Sequence, residues 1–482
     1  AGDVRYRGSL LRTRLLSVVV AAAAVGGMCG SAAAAPQDAG MRPRLTDSHP
    51  CAQQPGFTCS TLTVPLDHRG RTPGSLKLQV AVADNADAPK GVLLFLTGGP
   101  GQPGVPFMTR EAVQRLPEIA RNYRFAMIDQ RGTGEFGAIN CPQLQAQMGS
   151  SDIATPTPDA VHECAGILGD KAPFYNTDQT VADLDMFRQA LGTGKITVDG
   201  VSYGSFTAAR YAIAYPHNVR AVVLDSVVPH HITAADALYL VGLRGEAPVL
   251  RDACAAAPAC GFDPADDLAQ VVRSRSTADG VRIFDMIVTY EFLDPTYREP
   301  NLPDLPPGAG DLVGALHAAR NGNPARLDAL LTFLASGGDP VESFSSGLHA
   351  ATLCADTRFP WGSSATPGPI RPFLLDLTEK TLRTSEVGPY TPAVAVNHGF
   401  IQTCLPWPAE PATSNPAGKL PDVPVLLLNG DHDLSTPVEW AKQEAAAAPQ
   451  GTLVIVKGAA HSIQNRERGH AGRDAVIKFL NG

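Results

Sequence analysis

At 482 residues the chain is too long for one small domain and fits either one large catalytic domain carrying an insertion or two domains. With 44% hydrophobic and 18% charged residues it holds enough apolar material for a sizeable core, which excludes disorder as the default state. A formal charge of −8 repels phosphate backbones and argues against a general nucleic-acid binder, and the 46 Gly and 41 Pro show no collagen period and read as loop punctuation.

Residues 1–35 stand apart in composition. Arg5, Arg7, Arg12 and Arg14 form a basic start, Leu15 to Val25 is apolar except for Ser17, and Ser31 to Ala35 supplies small residues before Pro36. This order predicts a secretory signal peptide cleaved near Ala35. As a helix the apolar run rises only about 16 Å, short of the ~30 Å hydrocarbon core, so stable membrane insertion is not expected. Gly26-Gly27-Met28 before Cys29 is a poor lipid-attachment signal. Cleavage leaves 35 basic and 46 acidic residues, a formal charge of −11, and eight cysteines. An even number in an exported chain reads as disulfides, and without a Cys-x-x-Cys pair no metal is called for. Nearest-neighbour pairing, Cys51 with Cys59, Cys141 with Cys164, Cys254 with Cys260 and Cys354 with Cys404, is the simplest connectivity.

Along the mature chain, residues 36–60 are polar and read as a lead-in. Strand-like runs follow at Thr61–Leu66, Leu76–Ala83, Val92–Leu96, Phe125–Asp129, Ile196–Val201 and Ala221–Leu224, several of them continuous apolar runs typical of strands buried on both faces. Helical stretches lie between them, at Val181–Leu191 and Phe206–Tyr215 among others. This alternation predicts an α/β fold, a mostly parallel sheet flanked by helices. After Pro229 helices and Pro/Gly-rich loops take over, Asn301–Gly308 being a clear loop, until a buried-strand pattern returns at Val423–Gly430. A helix at Val438–Ala447, a strand at Leu453–Lys457 and a helix near Arg473–Leu480 complete the chain. The expected organisation is a signal at 1–35, a core at 36–230, a mainly helical insertion at 231–420 and the rest of the core at 421–482.

Gly200-Val201-Ser202-Tyr203-Gly204 lies between the strand Ile196–Val201 and the next helix. As a bare pattern it is common, but in this place it matches a nucleophile elbow, where a sharp strand-to-helix turn projects the serine hydroxyl from the sheet edge. The hydroxyl needs an imidazole to take its proton and a carboxylate to orient that imidazole. His461 follows the last core strand and is the candidate base, with His470 as runner-up. Asp431 and Asp433 both follow the Val423–Gly430 run, and spacing alone does not separate them. Thr97-Gly98-Gly99-Pro100-Gly101 follows another strand. It lacks the Lys and Ser/Thr of a P-loop, and the N–H groups of Gly98 and Gly99, with that of Tyr203, are candidate oxyanion donors.

With Gly98-Gly99-Pro100-Gly101, Asp129-Gln130-Arg131-Gly132-Thr133-Gly134, Gly200 to Ser205, Val223 to Pro229, Gly430 to Pro437 and Gly458 to His461 in this order, the chain resembles the secreted tripeptidyl-aminopeptidase branch of the α/β-hydrolases, related to prolyl aminopeptidases. The resemblance implies an α/β-hydrolase fold with a lid-like insertion. It assigns the acid to Asp433, with Thr436 supporting its loop. Thr97 and Ala459-Ala460 depart from the residues usual in relatives without removing a catalytic group.

The expected function is a secreted serine exopeptidase acting on peptides without a cofactor. Ser202, His461 and Asp433 form the triad, and Gly99 and Tyr203, with Gly98 as a further donor, form the oxyanion hole. A carboxylate for the substrate's α-ammonium is sought among Glu291, Glu299 and Asp356. The same triad would serve an esterase or lipase acting on small esters. A non-catalytic binding protein would have lost one of the three groups.

Overall fold

The computed structural model describes residues 42–108, 113–256, 260–292 and 311–482. The signal segment with Cys29, residue Glu299 and the loop 301–308 lie outside the described residues, and nothing of the Glu291 side chain is described.

Nine strands form one sheet: β1 (Leu45–Pro50), β2 (Phe57–Pro65), β3 (Ser75–Ala83), β4 (Val92–Leu96), β5 (Arg124–Ile128), β6 (Ile196–Val201), β7 (Val219–Asp225), β8 (Pro424–Gly430) and β9 (Gln450–Val456). Their spatial order is β1-β2-β3-β5-β4-β6-β7-β8-β9. β4 through β9 are mutually parallel, while β1, β2 and β3 add an antiparallel edge beside β5. The lead-in expected at residues 36–60 is therefore partly wrong, because β1 and the start of β2 lie within it. β1 is an edge strand whose residues are almost all exposed, so its polar sequence carries no alternation.

The continuous apolar runs are explained by burial on both faces. In β4, Leu93 and Phe95 join one hydrophobic cluster with Val476 and Leu480 of the C-terminal helix, Ala471–Asn481. Leu94 and Leu96 join another with Leu184, Phe187 and Ala208 of the helices Thr177–Leu191 and Tyr203–Ala214. Successive side chains of a strand point to opposite faces, so a strand covered on both sides has no polar positions.

Between β7 and β8 the described chain is helical, with long members at Leu240–Ala256, Thr277–Phe292 and Ser346–Asp356. Their apolar faces meet in one cluster that contains Leu243, Phe284, Leu348 and Trp407. Leu144 and Val161, from the helices Pro142–Met148 and Pro158–Leu168 that precede β6, belong to the same cluster. The four nearest-neighbour cysteine pairs are all present as disulfides. They fit a chain exported to an oxidising compartment. Among the described residues no helix is long and apolar enough to cross a membrane.

β4 lies between β5 and β6, so the chain leaves it in opposite directions on its two sides. In open parallel sheets such a switch opens a crevice at the strands' carboxyl ends. Gly98 and Gly99 follow β4, and Ser202 follows β6.

Candidate active site

Ser202 has φ +60° and ψ −127°, the strained turn of a nucleophile elbow. Its flanking glycines are required by close approach. A Cβ on Gly200 would stand 2.0 Å from the Gly204 carbonyl oxygen, and one on Gly204 would stand 2.3 Å from that of Leu96. The Ser202 N–H is fixed by the Asp225 carbonyl at 2.8 Å. The helix Tyr203–Ala214 starts at the following residue, so the Tyr203 N–H is one of its first-turn donors.

The loop after β4 packs against this elbow; a Cβ on Gly98 would meet Ser202 Cβ at 3.1 Å. The Gly98 N–H donates to Gln102 Oε1 at 3.3 Å. His349 Nδ1 lies 2.6 Å from the Pro100 carbonyl and Nε2 lies 2.6 Å from Asp152 Oδ1, so the lid holds this loop from above.

His461 is buried, and its Nδ1 lies 2.8 Å from Asp433 Oδ2. Asp433 is held from both sides. Its Oδ1 accepts the N–H groups of Ser435 and Thr436 at 3.0 and 2.8 Å, and its Oδ2 accepts the Thr436 hydroxyl at 2.8 Å. Asp431 instead accepts the Gly458 N–H at 2.7 Å and serves the turn. His470 is exposed and stands at the start of the C-terminal helix.

Ser202 and His461 open on one cavity of about 530 Å³ beneath the lid. Its wall carries Asp152, Asp285 and Asp339 together with Arg115 and Arg466, none of which any sequence motif flagged. Asp285 accepts the hydroxyls of Ser151 and Ser336 at 2.7 and 2.8 Å, and burial pushes its carboxyl up. Asp356 lies elsewhere, in a smaller apolar pocket that also touches Ser202.

Sequence reasoning also missed what holds the His461 loop. Asp225, fully buried at the end of β7, accepts the N–H groups of Ile463 and Gln464 at 3.0 and 2.9 Å. Ser226 Oγ accepts the Ser462 N–H at 2.8 Å. Both residues lie in Val223 to Pro229, so the only signal was two polar residues closing an apolar strand.

Arg131 of the Asp-Gln-Arg-Gly motif is a structural clamp and does not line the main cavity. It is fully buried, pairs with Asp183 through Nε and Nη2 at 2.7 Å each, and donates to the carbonyls of Leu66 and Phe174 at 2.8 Å. Asp129 of the same motif accepts the Val105 N–H at 2.9 Å, and its burial raises its carboxyl to about 6.

The family model for the alpha/beta hydrolase fold matches residues 91–262, and that for TAP-like protein matches residues 392–482. The tripeptidyl aminopeptidase of Streptomyces coelicolor is 31% identical over 189 residues, which cover 35% of each chain. The match thus spans about a third of that relative's length. The serine protease Hip1 of Mycobacterium tuberculosis is 26% identical over 463 residues, covering 86% of this chain and 84% of the relative. The putative hydrolase YuaR of Escherichia coli is 27% identical over 188 residues, 37% of each. With nine strands in a mostly parallel sheet among the described residues and these two matches, the chain has the α/β-hydrolase fold and fits a TAP-like α/β hydrolase.

Proposed function

We propose that this chain is an exported serine exopeptidase that releases short peptides from the N-termini of its substrates. The carrying observation is that Ser202 and His461 face one lid-covered cavity of about 530 Å³ whose wall bears three carboxylates. Ser202 Oγ attacks the scissile carbonyl while His461 takes its proton through Nε2, since Nδ1 is directed at Asp433. Asp433 stabilises the imidazolium, and Thr436 keeps that carboxylate in place. The N–H groups of Gly99 and Tyr203 receive the developing oxyanion. His461 then gives the proton to the leaving amine, and water releases the acyl peptide by the same route.

In this reading the free α-ammonium sits away from Ser202, against one of Asp152, Asp285 and Asp339, which share the wall with Arg115 and Arg466. The similarity to a tripeptidyl aminopeptidase and to a serine protease supports peptides as the substrate class. Export rests on the composition of residues 1–35 and on the four disulfides.

The test compares a free-amine tripeptide nitroanilide, its N-acetyl analogue and a p-nitrophenyl ester. Turnover of the free tripeptide with strong loss on acetylation is expected. Turnover of the ester alone overturns the peptidase reading in favour of an esterase, and failure of a fluorophosphonate probe to label Ser202 overturns catalysis altogether.

A further inference from the structure

Beside the main cavity lies a pocket of about 80 Å³ that shares Ser202 and Gly99 with it and is lined mainly by Phe206, Leu353, Phe400 and Trp440. The pocket also touches three carboxylates, and two are fully engaged. Asp152 faces His349 and the Tyr239 hydroxyl, and Asp236 faces Thr233 and the Trp440 indole N–H. Asp356 differs. It is 4% exposed, its Oδ2 accepts the N–H and hydroxyl of Thr177 at 2.9 and 2.5 Å, and its Oδ1 has no hydrogen-bond partner among the described residues.

A buried acceptor without a donor costs about 1–3 kcal/mol, more when charged, and a ligand that supplies the donor recovers that cost. The neighbouring cations do not supply it. Arg210 donates to the carbonyls of His230 and Ser414 and to Asn415, while Arg358 donates to the carbonyl of Thr413 and to the backbone carbonyls of Asp356 and Thr357. Asp178 is bonded to Ser414. Tyr203, the residue after the nucleophile, reaches Thr177 with its hydroxyl at 2.7 Å, and Thr177 bonds Asp356. Ser202 and Asp356 both line this pocket.

We propose that this pocket receives a primary ammonium group, carried by a lysine at the residue whose carbonyl Ser202 attacks, and that Asp356 is the specificity-determining acceptor. Lysine is favoured over arginine because Thr177 occupies Oδ2, so a single acceptor remains for a point-charge ammonium and none for a two-pronged guanidinium. The four apolar lining side chains suit the methylene stem. This specificity rests on the exopeptidase reading, but the pocket itself can be tested without it.

The experiment measures kcat/KM on Ala-Ala-Lys, Ala-Ala-norleucine and Ala-Ala-Arg nitroanilides. The unmutated enzyme is expected to favour lysine over norleucine by about tenfold or more and over arginine by a smaller factor. In Asp356→Asn the lysine-to-norleucine ratio is expected to fall at least about tenfold. An unchanged ratio, or no lysine preference at the outset, overturns the proposal. Should Asp356→Asn fail to fold, the readout is inhibition of the unmutated enzyme by n-butylammonium. Competitive inhibition absent with n-butanol supports the pocket; equal effects, or none, overturn it. If single-residue nitroanilides are the better substrates and lose turnover on acetylation whatever their side chain, the pocket holds an α-ammonium and the lysine assignment falls. If only esters turn over, the exopeptidase reading has failed, and n-butylammonium inhibition of ester hydrolysis still decides the pocket.

Discussion

Asp225 and Gln464 meet twice: Oδ2 accepts the Gln464 backbone N–H at 2.9 Å and its side-chain amide at 3.2 Å. The second carboxylate oxygen takes the Ile463 N–H at 3.0 Å, so the turn that begins at His461 is tied to the end of β7, next to the strand that carries Ser202. Asp225 thus ties the His461 turn through its carboxylate and the Ser202 N–H through its backbone carbonyl, at 2.8 Å, and links the two loops through one residue. Asp225→Ala leaves two backbone donors buried without an acceptor, at a cost of about 1–3 kcal/mol each unless the turn opens, while the Gln464 amide keeps Asp199 Oδ1 at 2.9 Å. The expected outcome is a fall in kcat of roughly 10- to 100-fold, with slower fluorophosphonate labelling of Ser202, while near-ultraviolet circular dichroism stays native.

Within the triad, Ser202→Ala is expected to leave only background turnover. Asp433→Asn is expected to lower kcat by roughly 10⁴, since an amide imposes the wrong imidazole tautomer without disturbing the loop. Combining the two should add almost nothing to Ser202→Ala alone. Independent, multiplicative losses measured by steady-state kinetics would contradict the assignment of one catalytic unit.

Thr436→Val removes the hydroxyl that donates to Asp433 Oδ2 while keeping the side-chain shape. A hydrogen bond to a charged group contributes about 1.5–3 kcal/mol, so kcat should fall roughly 10- to 100-fold with little change in KM. Thr436→Ser should recover most of the loss, which a merely structural defect would not show.

Arg131→Met breaks a buried ion pair and strands the Asp183 carboxylate, which keeps His68 Nε2 at 2.6 Å as a hydrogen-bond partner. Loss of one partner of such a pair costs about 3–5 kcal/mol, so the midpoint of thermal or urea unfolding should drop clearly. Enzyme that remains folded should keep a near-normal KM, because Arg131 does not line the main cavity.

Glu410, buried and bonded to the Trp407 indole N–H at 2.9 Å, has its carboxyl raised to about 7, chiefly by desolvation. The unfolded chain releases this proton near the ordinary glutamate value of about 4.3. The folded state therefore binds more protons between the two values, and its stability falls as pH rises from about 4.3 to about 7. Glu410→Gln lacks this penalty. Its melting temperature relative to the unmutated protein should rise across that window and level off above it; a constant difference would contradict the raised value.

The sequence by itself determined whatever depends on chain-local chemistry. Both-face burial of β4, β5, β7 and β8 shows as apolar runs, the elbow at Ser202 shows because only glycine tolerates the approaches at positions 200 and 204, and the chain order serine, acid, histidine follows from which strands end in loops with suitable groups, the choice of Asp433 over Asp431 coming from the family resemblance. Nearest-neighbour cysteines paired because the chain between them is short and turns back. Tertiary structure decided the rest. β1 was invisible because an exposed edge strand has no apolar face to alternate with, and the carboxylates Asp152, Asp285 and Asp339 carried no motif because their meaning comes from which cavity wall they occupy. Arg131 pairs with Asp183, 52 residues away in the chain, and Asp225 holds Ile463, 238 residues away, across contacts that only the folded sheet creates. A side chain's chemistry is written in the sequence, but its desolvation and its partners are properties of the packed molecule.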